Sequence, residues 1–150
     1  MAQLTIEELG ASTVAAAHSL TLKPGQEAFL EPDTYHHYEE MLDPANSWPR
    51  VVRDGDEVVG YIMGNFDPEA PEDFLRAALW RIDVAATAQG RGVGRFAVQA
   101  FADEARQRGF DHVTVVWATG DNGPEKFFTA VGFEIAGETP YGENLGALRL

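Results

Sequence analysis

Between Gln89 and Arg95 the chain reads QGRGVGR. Glycines alternate at positions 90, 92 and 94, and Arg91 and Arg95 sit among them, in a chain whose formal net charge is −13. Positions without a Cβ let backbone N–H groups approach an anion closely, and guanidinium groups make charge-assisted bonds to phosphate oxygens. A strand-like run precedes the segment and a helix-like run follows it, so the positive end of a helix is added at the same place. A glycine-rich turn alone need bind nothing. With Gln89, two arginines and a strand–loop–helix setting, the pattern predicts a cradle for a diphosphate. Two other phosphate loops do not fit. A dinucleotide fingerprint needs G-x-G-x-x-G and an acidic residue ~20 positions later, and a Walker loop needs Gly-Lys followed by Ser or Thr.

Other residues with chemical potential are more scattered. Glu31, Asp33, Glu39 and Glu40, with Tyr35 and Tyr38 among them, could receive a cation through carboxylates and aromatic faces. Strand alternation puts Asp83 beside Arg81, which predicts a same-face ion pair, with Ala78, Trp80 and Ile82 on the opposite face. His36 and His37 are adjacent, point ~100° apart on a helix and do not make an i, i+4 metal pair. No metal is assigned. His18 and His112 read as isolated histidines. The absence of cysteine excludes disulfides, thiolate metal sites and a cysteine nucleophile.

These residues need elements to hold them. LTIEELGASTVAAAHSLT has apolar residues at helical spacing, with Thr5 as N-cap and Glu7 and Glu8 in the first turn. Asp33 caps a short helix ending before Pro44. Two strand-like runs flank Asp54-Gly55, a hairpin dipeptide. RAALWRIDVA is a third strand. GRFAVQAFADEARQRG is a helix with a broad apolar face, stopped by Gly109. HVTVVWA is a strand of β-branched residues. GPEKFFTAVG is a short helix between Pro124 and Gly132, and FEIAGE and GALRL are the last strands. This order predicts an α/β or α+β domain with a mixed sheet.

At 150 residues with 45% apolar content, the chain reads as one domain over 1–150 with a real core. The start lacks the basic and apolar regions of a secretory signal, and no apolar run reaches the ~18 residues of a membrane span. The expectation is a cytoplasmic protein. Eleven basic against 24 acidic residues disfavour nucleic acid or an anionic membrane as partner and suit a cationic small molecule.

QGRGVGR after a strand resembles the Gln/Arg-x-x-Gly-x-Gly/Ala motif of the GNAT superfamily of N-acetyltransferases. FFTAVGFE, a helix ending in Gly-Phe before a strand, is similar to that family's second motif. LWRIDVAATAQGRGVG and GPEKFFTAVGFEIAGE are most like bacterial diamine and polyamine acetyltransferases, and the N-terminal third fits more loosely. The resemblance implies a mostly antiparallel central sheet flanked by helices, with two strands splayed at the coenzyme site. It implies acetyl-CoA as cosubstrate. Ile82, Asp83 and Val84 would offer backbone groups to the pantetheine arm, and Gln89, Gly90, Arg91, Gly92, Val93, Gly94 and Arg95 would wrap the diphosphate. Phe127 and Phe128 would also border the coenzyme, and Lys126 would stand near its phosphates. Members of the family are often dimers, so a homodimer is expected.

The implied reaction is direct attack of an amine on the thioester, with no enzyme nucleophile. The acceptor would be a small, cationic primary amine, held by Glu31, Tyr35 and Glu39. The family's usual tyrosine, proton donor to the leaving sulfur, is Phe128 here, which cannot donate. The catalytic acid and base are unassigned, with a water or Tyr141 as substitutes for the acid. Two other readings stay open: a coenzyme A-binding protein with little catalysis, and an acetyltransferase of protein N-termini.

Overall fold

A computed structural model describes residues 3–22, 32–120 and 123–150. Seven strands form one sheet, in the order β1-β2-β3-β4-β5-β7-β6. In chain order the main elements are β1 (Leu4–Glu8), α1 (Val14–His18), α2 (Asp33–Tyr38), β2 (Ser47–Asp54), β3 (Glu57–Phe66), β4 (Ala77–Val84), α3 (Val93–Gln107), β5 (His112–Trp117), α4 (Glu125–Ala130), β6 (Glu134–Glu138) and β7 (Asn144–Arg149). Every neighbouring pair is antiparallel except β4 with β5. The expected mixed, mostly antiparallel sheet with flanking helices is observed.

The first predicted helix is a correction. Leu4–Glu8 is an edge strand, and the helix begins only at Val14. Leu4 and Ile6 are half-buried while Thr5 and Glu7 are exposed, a period of two that the flanking alanines masked. Ile6 lies opposite Val52 on β2, and Glu7 pairs with Arg53 at 2.6 Å. Thr5 therefore caps nothing. Thr13 stands before α1 instead, its hydroxyl accepting from Gly10 N–H at 2.9 Å. At α2, Pro32 rather than Asp33 is the residue before the helix. The hairpin turn also shifts by one residue: Asp54 pairs with Glu57, leaving Gly55 (φ +62°) and Asp56 as its tip.

The long helix α3 packs on one face of β3 and β4. Its buried residues Val93, Ala97, Val98, Phe101, Ala102 and Ala105 form a stripe at helical spacing. Gly64 of β3 has no side chain because the ring of fully buried Phe101 occupies that space. Leu79, Ile62, Val113 and Val115 complete this core layer.

One irregularity controls the site. Met63 pairs with Arg81 and Gly64 with Leu79, so Trp80 is an extra residue on β4. A bulge of this kind reverses which residues face which side. Ala77 and Leu79 face the α3 core before it, and Ile82 and Val84 pack against that core after it. The uninterrupted alternation expected from the sequence, with Ala78 and Ile82 on one face, is therefore broken at Trp80. Arg81 and Asp83 remain together.

Candidate active site

The chain leaves β4 at Val84, makes a tight turn over Ala86–Ala88, and enters α3 at Val93. Gly90 and Gly92 have φ of +83° and +79°, a left-handed backbone that a side chain disfavours. Nothing lies within 4 Å of where a Cβ on Gly92 would stand. The side chain of Gln89 donates from Nε2 to Val84 O at 3.0 Å, holding the loop to the end of β4. No side chain caps α3, and its first helical bond runs from Phe96 N to Gly92 O at 2.9 Å. The amides of Val93, Gly94 and Arg95 thus have no intrahelical acceptor. A fifteen-residue helix supplies its positive end there. Open space, glycine backbone and uncapped amides together suit a diphosphate.

The two arginines part company. Arg95 lines the cavity beside Lys126 and donates from Nη2 to Ala130 O at 3.1 Å, tying the start of α3 to the end of α4. Arg91 turns to the hairpin. Its Nη1 meets Asp54 Oδ2 and its Nη2 meets Thr87 O, each at 3.2 Å. In this arrangement Arg91 braces the loop from outside the cavity walls.

A cavity of about 720 Å³ runs from this loop between β4 and β5. The two strands pair only at Ala78↔Thr114 and Leu79↔Val115, then separate. Ala85 N bonds to Val59 O on β3 at 2.9 Å. By alternation the backbone of Asp83 also faces β3, while the N–H and C=O of Ile82 and Val84 face the gap. Asp83 is itself among the residues that line the cavity.

Asp83 is the acidic residue among those that line the cavity. Asp83 is 6% exposed, and Arg81 Nε lies 3.2 and 3.1 Å from its two carboxylate oxygens. The ion pair expected from the sequence is present. Burial pushes the Asp83 carboxyl above its ordinary value, and Arg81 opposes the shift. Tyr61 stands opposite Asp83 across the β3–β4 pair. Burial raises its phenol, an effect that Arg81 offsets and the Asp83 charge reinforces.

The expected acceptor residues do not gather in the cavity. Glu31 lies outside the described residues. Glu39 is exposed on the 3-10 turn after α2. Tyr35 is 3% exposed, with its ring stacked on Trp80 at 4.0 Å. Its hydroxyl accepts from Val116 N and donates to Leu79 O, each at 2.9 Å. It is therefore not an open aromatic face. Tyr141 is 48% exposed on the β6–β7 turn, its ring 5.7 Å from that of His37, and is not a cavity wall. Phe127 and Phe128 both line the cavity. Phe128 is 4% exposed and stacks on Trp117 at 5.2 Å.

Sequence reasoning also missed the anchor of α2. Glu143, 5% exposed, accepts from Asp33 N at 2.8 Å and from Thr34 N at 2.9 Å, and the Thr34 hydroxyl donates to it at 2.6 Å. More than a hundred positions separate these partners, so no local pattern reveals them. His112 is not isolated: Asp111 and Asp73 both bond its ring.

Comparison with known proteins agrees with this geometry. A family model described as Acetyltransferase (GNAT) family matches residues 14–133. An L-2,4-diaminobutyric acid acetyltransferase of Streptomyces coelicolor is 34% identical over 82 residues, covering 53% of this chain and 46% of that protein. One of the same name from Shouchella clausii is 38% identical over 65 residues, covering 43% and 35%. The matches thus span less than half the length of these curated relatives. The crystal structure of a GNAT family acetyltransferase from Elizabethkingia anophelis with acetyl-CoA bound superposes with a TM-score of 0.64 at 15% identity, over 98% of each chain. With its family motif in place at the mouth of α3 and its strands parted beside it, the chain belongs to the GNAT family of acetyltransferases.

Proposed function

We propose that this chain is an acetyl-CoA-dependent N-acetyltransferase acting on a primary amine of a small, cationic acceptor. One observation carries the reading: one cavity is lined by the uncapped mouth of α3, by both strands of the β4–β5 gap and by Asp83. Acetyl-CoA supplies an acetyl thioester; the amine takes the acetyl group and the coenzyme leaves as its thiol. The amides of Gly92, Val93 and Gly94, with Gln89, Gly90, Arg95 and Lys126 around them, hold the diphosphate end. The backbone groups of Ile82 and the Val84 amide, which face the gap, serve the pantetheine arm, and an amide there can hold the thioester oxygen. Arg91 acts through the loop it braces.

An alkyl ammonium near pKa ~10 must lose a proton before it can attack. Asp83 is the buried carboxylate of the cavity wall, so it holds the ammonium and receives that proton directly or through water. The relatives are named for acetylation of a diamino acid, L-2,4-diaminobutyric acid. Diamines and diamino acids are therefore the acceptor classes of choice.

A second reading, coenzyme binding with little catalysis, is favoured by Phe128, which has no proton to give. Thiol release from acetyl-CoA across a panel of diamines, diamino acids, polyamines and N-terminal peptides separates the two. Amine-dependent release is expected with diamines or diamino acids. Coenzyme binding by calorimetry without release on any amine would favour the second reading, and no binding would overturn both.

A further inference from the structure

The parallel ladder of β4 and β5 stops after Leu79↔Val115. In a ladder of this register, the next rung would run from the Val116 amide to the Leu79 carbonyl. Both groups turn to a side chain instead. Val116 N–H donates to Tyr35 Oη at 2.9 Å, and the Tyr35 hydroxyl donates to Leu79 O at 2.9 Å. One phenolic oxygen thus stands inside the rung, at the point where the strands part. Burial raises the phenol's pKa, so the group stays protonated and serves as donor and acceptor together. Its ring is clamped on Trp80, with 18° between the planes. Its helix is pinned from the far edge of the sheet by Glu143.

We propose that the Tyr35 hydroxyl is a surrogate rung that holds β4 and β5 apart, and so sets the seat of the acyl and pantetheine end of the coenzyme. Tyr35 is a positioning residue. The inference rests on the coenzyme reading above. Leu79, Trp80, Val115 and Val116 all line the cavity, so the rung's width is felt there. Buried amide and carbonyl groups are rarely left without partners. Once the oxygen is removed, these two can satisfy each other only by drawing the strands together. Such a change narrows the gap without touching the mouth of α3, where the nucleotide end is held.

Tyr35→Phe tests this with two probes: acetyl-CoA, and 3′-phospho-ADP, which has the nucleotide end without the arm. The expected result is a loss of acetyl-CoA affinity of roughly 10-fold or more, with 3′-phospho-ADP affinity within about twofold of wild type. A purely structural role would lower the melting temperature and leave the ratio of the two affinities alone, and that result overturns the inference. Wild-type protein supplies a check that needs no variant to fold. The Val116 amide resonance should shift on adding acetyl-CoA and stay in place with 3′-phospho-ADP; an equal response to both overturns the inference. Wild type that binds neither probe sinks the coenzyme reading, and this inference with it. Wild type that binds both, while the variant keeps their ratio, sinks this inference alone.

Discussion

The ring of Phe127 lies against the first turn of α3 at Gly94: a Cβ built on Gly94 would stand 2.7 Å from Phe127 Cε1 and 2.9 Å from Cζ. This contact brings α4 onto the helix mouth and forms one wall of the cavity. Gly94→Ala must push the ring away or tilt the turn. Overpacking of this kind costs typically ~1–3 kcal/mol. We expect denaturant unfolding to show a loss in that range. Coenzyme affinity should fall with it, because the displaced amide and ring both border the site. Unchanged affinity for acetyl-CoA would remove the first turn of α3 from the binding site.

Asp83 is expected to matter for the amine and not for the coenzyme. Asp83→Asn should lower kcat/KM for the acceptor by ~10²–10⁴, the usual range for a lost proton acceptor, with KM for acetyl-CoA unchanged. The carboxylate must be ionised to act. Burial holds its pKa above the ordinary 3.8, so activity should fall as pH drops through that raised value. Asn should abolish this acid limb. A variant that keeps the limb assigns the titration to another group.

Phe128 is buried against Trp117, and the family resemblance implies that a proton-donating tyrosine would stand there. A thiol with pKa near ~8.5 is a fair leaving group as the anion, so catalysis without an acid is slowed and not abolished. Phe128→Tyr should raise kcat by ~10-fold or more, with coenzyme affinity unchanged, at the low end of general-acid effects. Stopped-flow thiol release measures it. An unaltered rate means that another group or none donates the proton.

Glu143 joins the β6–β7 turn to α2 through three hydrogen bonds to one buried carboxylate. Glu143→Ala leaves the Thr34 amide and hydroxyl without that partner. Losing hydrogen bonds to a buried charge costs ~1.5–3 kcal/mol, so a melting-temperature drop of roughly 3–12 °C is expected. Because α2 carries Tyr35, acetyl-CoA affinity should fall more than nucleotide affinity.

His112 links Asp111 to Asp73. Both carboxylates raise its pKa above the ordinary 6.5, Asp111 the more. A raised folded pKa contributes stability that is complete below 6.5 and disappears as pH rises through the folded value. The side chain is 38% exposed, so solvent screening holds the contribution under ~1 kcal/mol. His112→Gln should therefore melt lower than wild type at pH ~5.5, with the difference shrinking by pH ~9. A difference that grows with pH would contradict the sign of the shift.

The glycine loop at the mouth of α3 was legible from residues 89–95 because its parts are contiguous: alternating glycines, a strand before and an amphipathic helix after. Arg81 with Asp83 was legible for the same reason, since two residues apart on a strand always share a face unless a bulge intervenes. The first strand was misread as helix because alanine-rich sequence next to Leu4 and Ile6 blurs the period. Among polar sequence neighbours Tyr35 reads as an aromatic face for a cation, whereas its true hydrogen-bond partners are backbone groups 44 and 81 positions away.

The order of amino acids alone reveals the family motif, the glycine backbone at the helix mouth, the succession of most elements and the absence of cysteine. These follow from residue types and short spacings, which obey local sterics and periodicity. The bulge at Trp80, the turn of Arg91 away from the cavity that Arg95 lines, and the place of Tyr35 between two strands emerge only in the folded chain. Each of those depends on what lies across the sheet or beyond it, and a hydrogen bond or a strand register is set by the partner as much as by the residue itself.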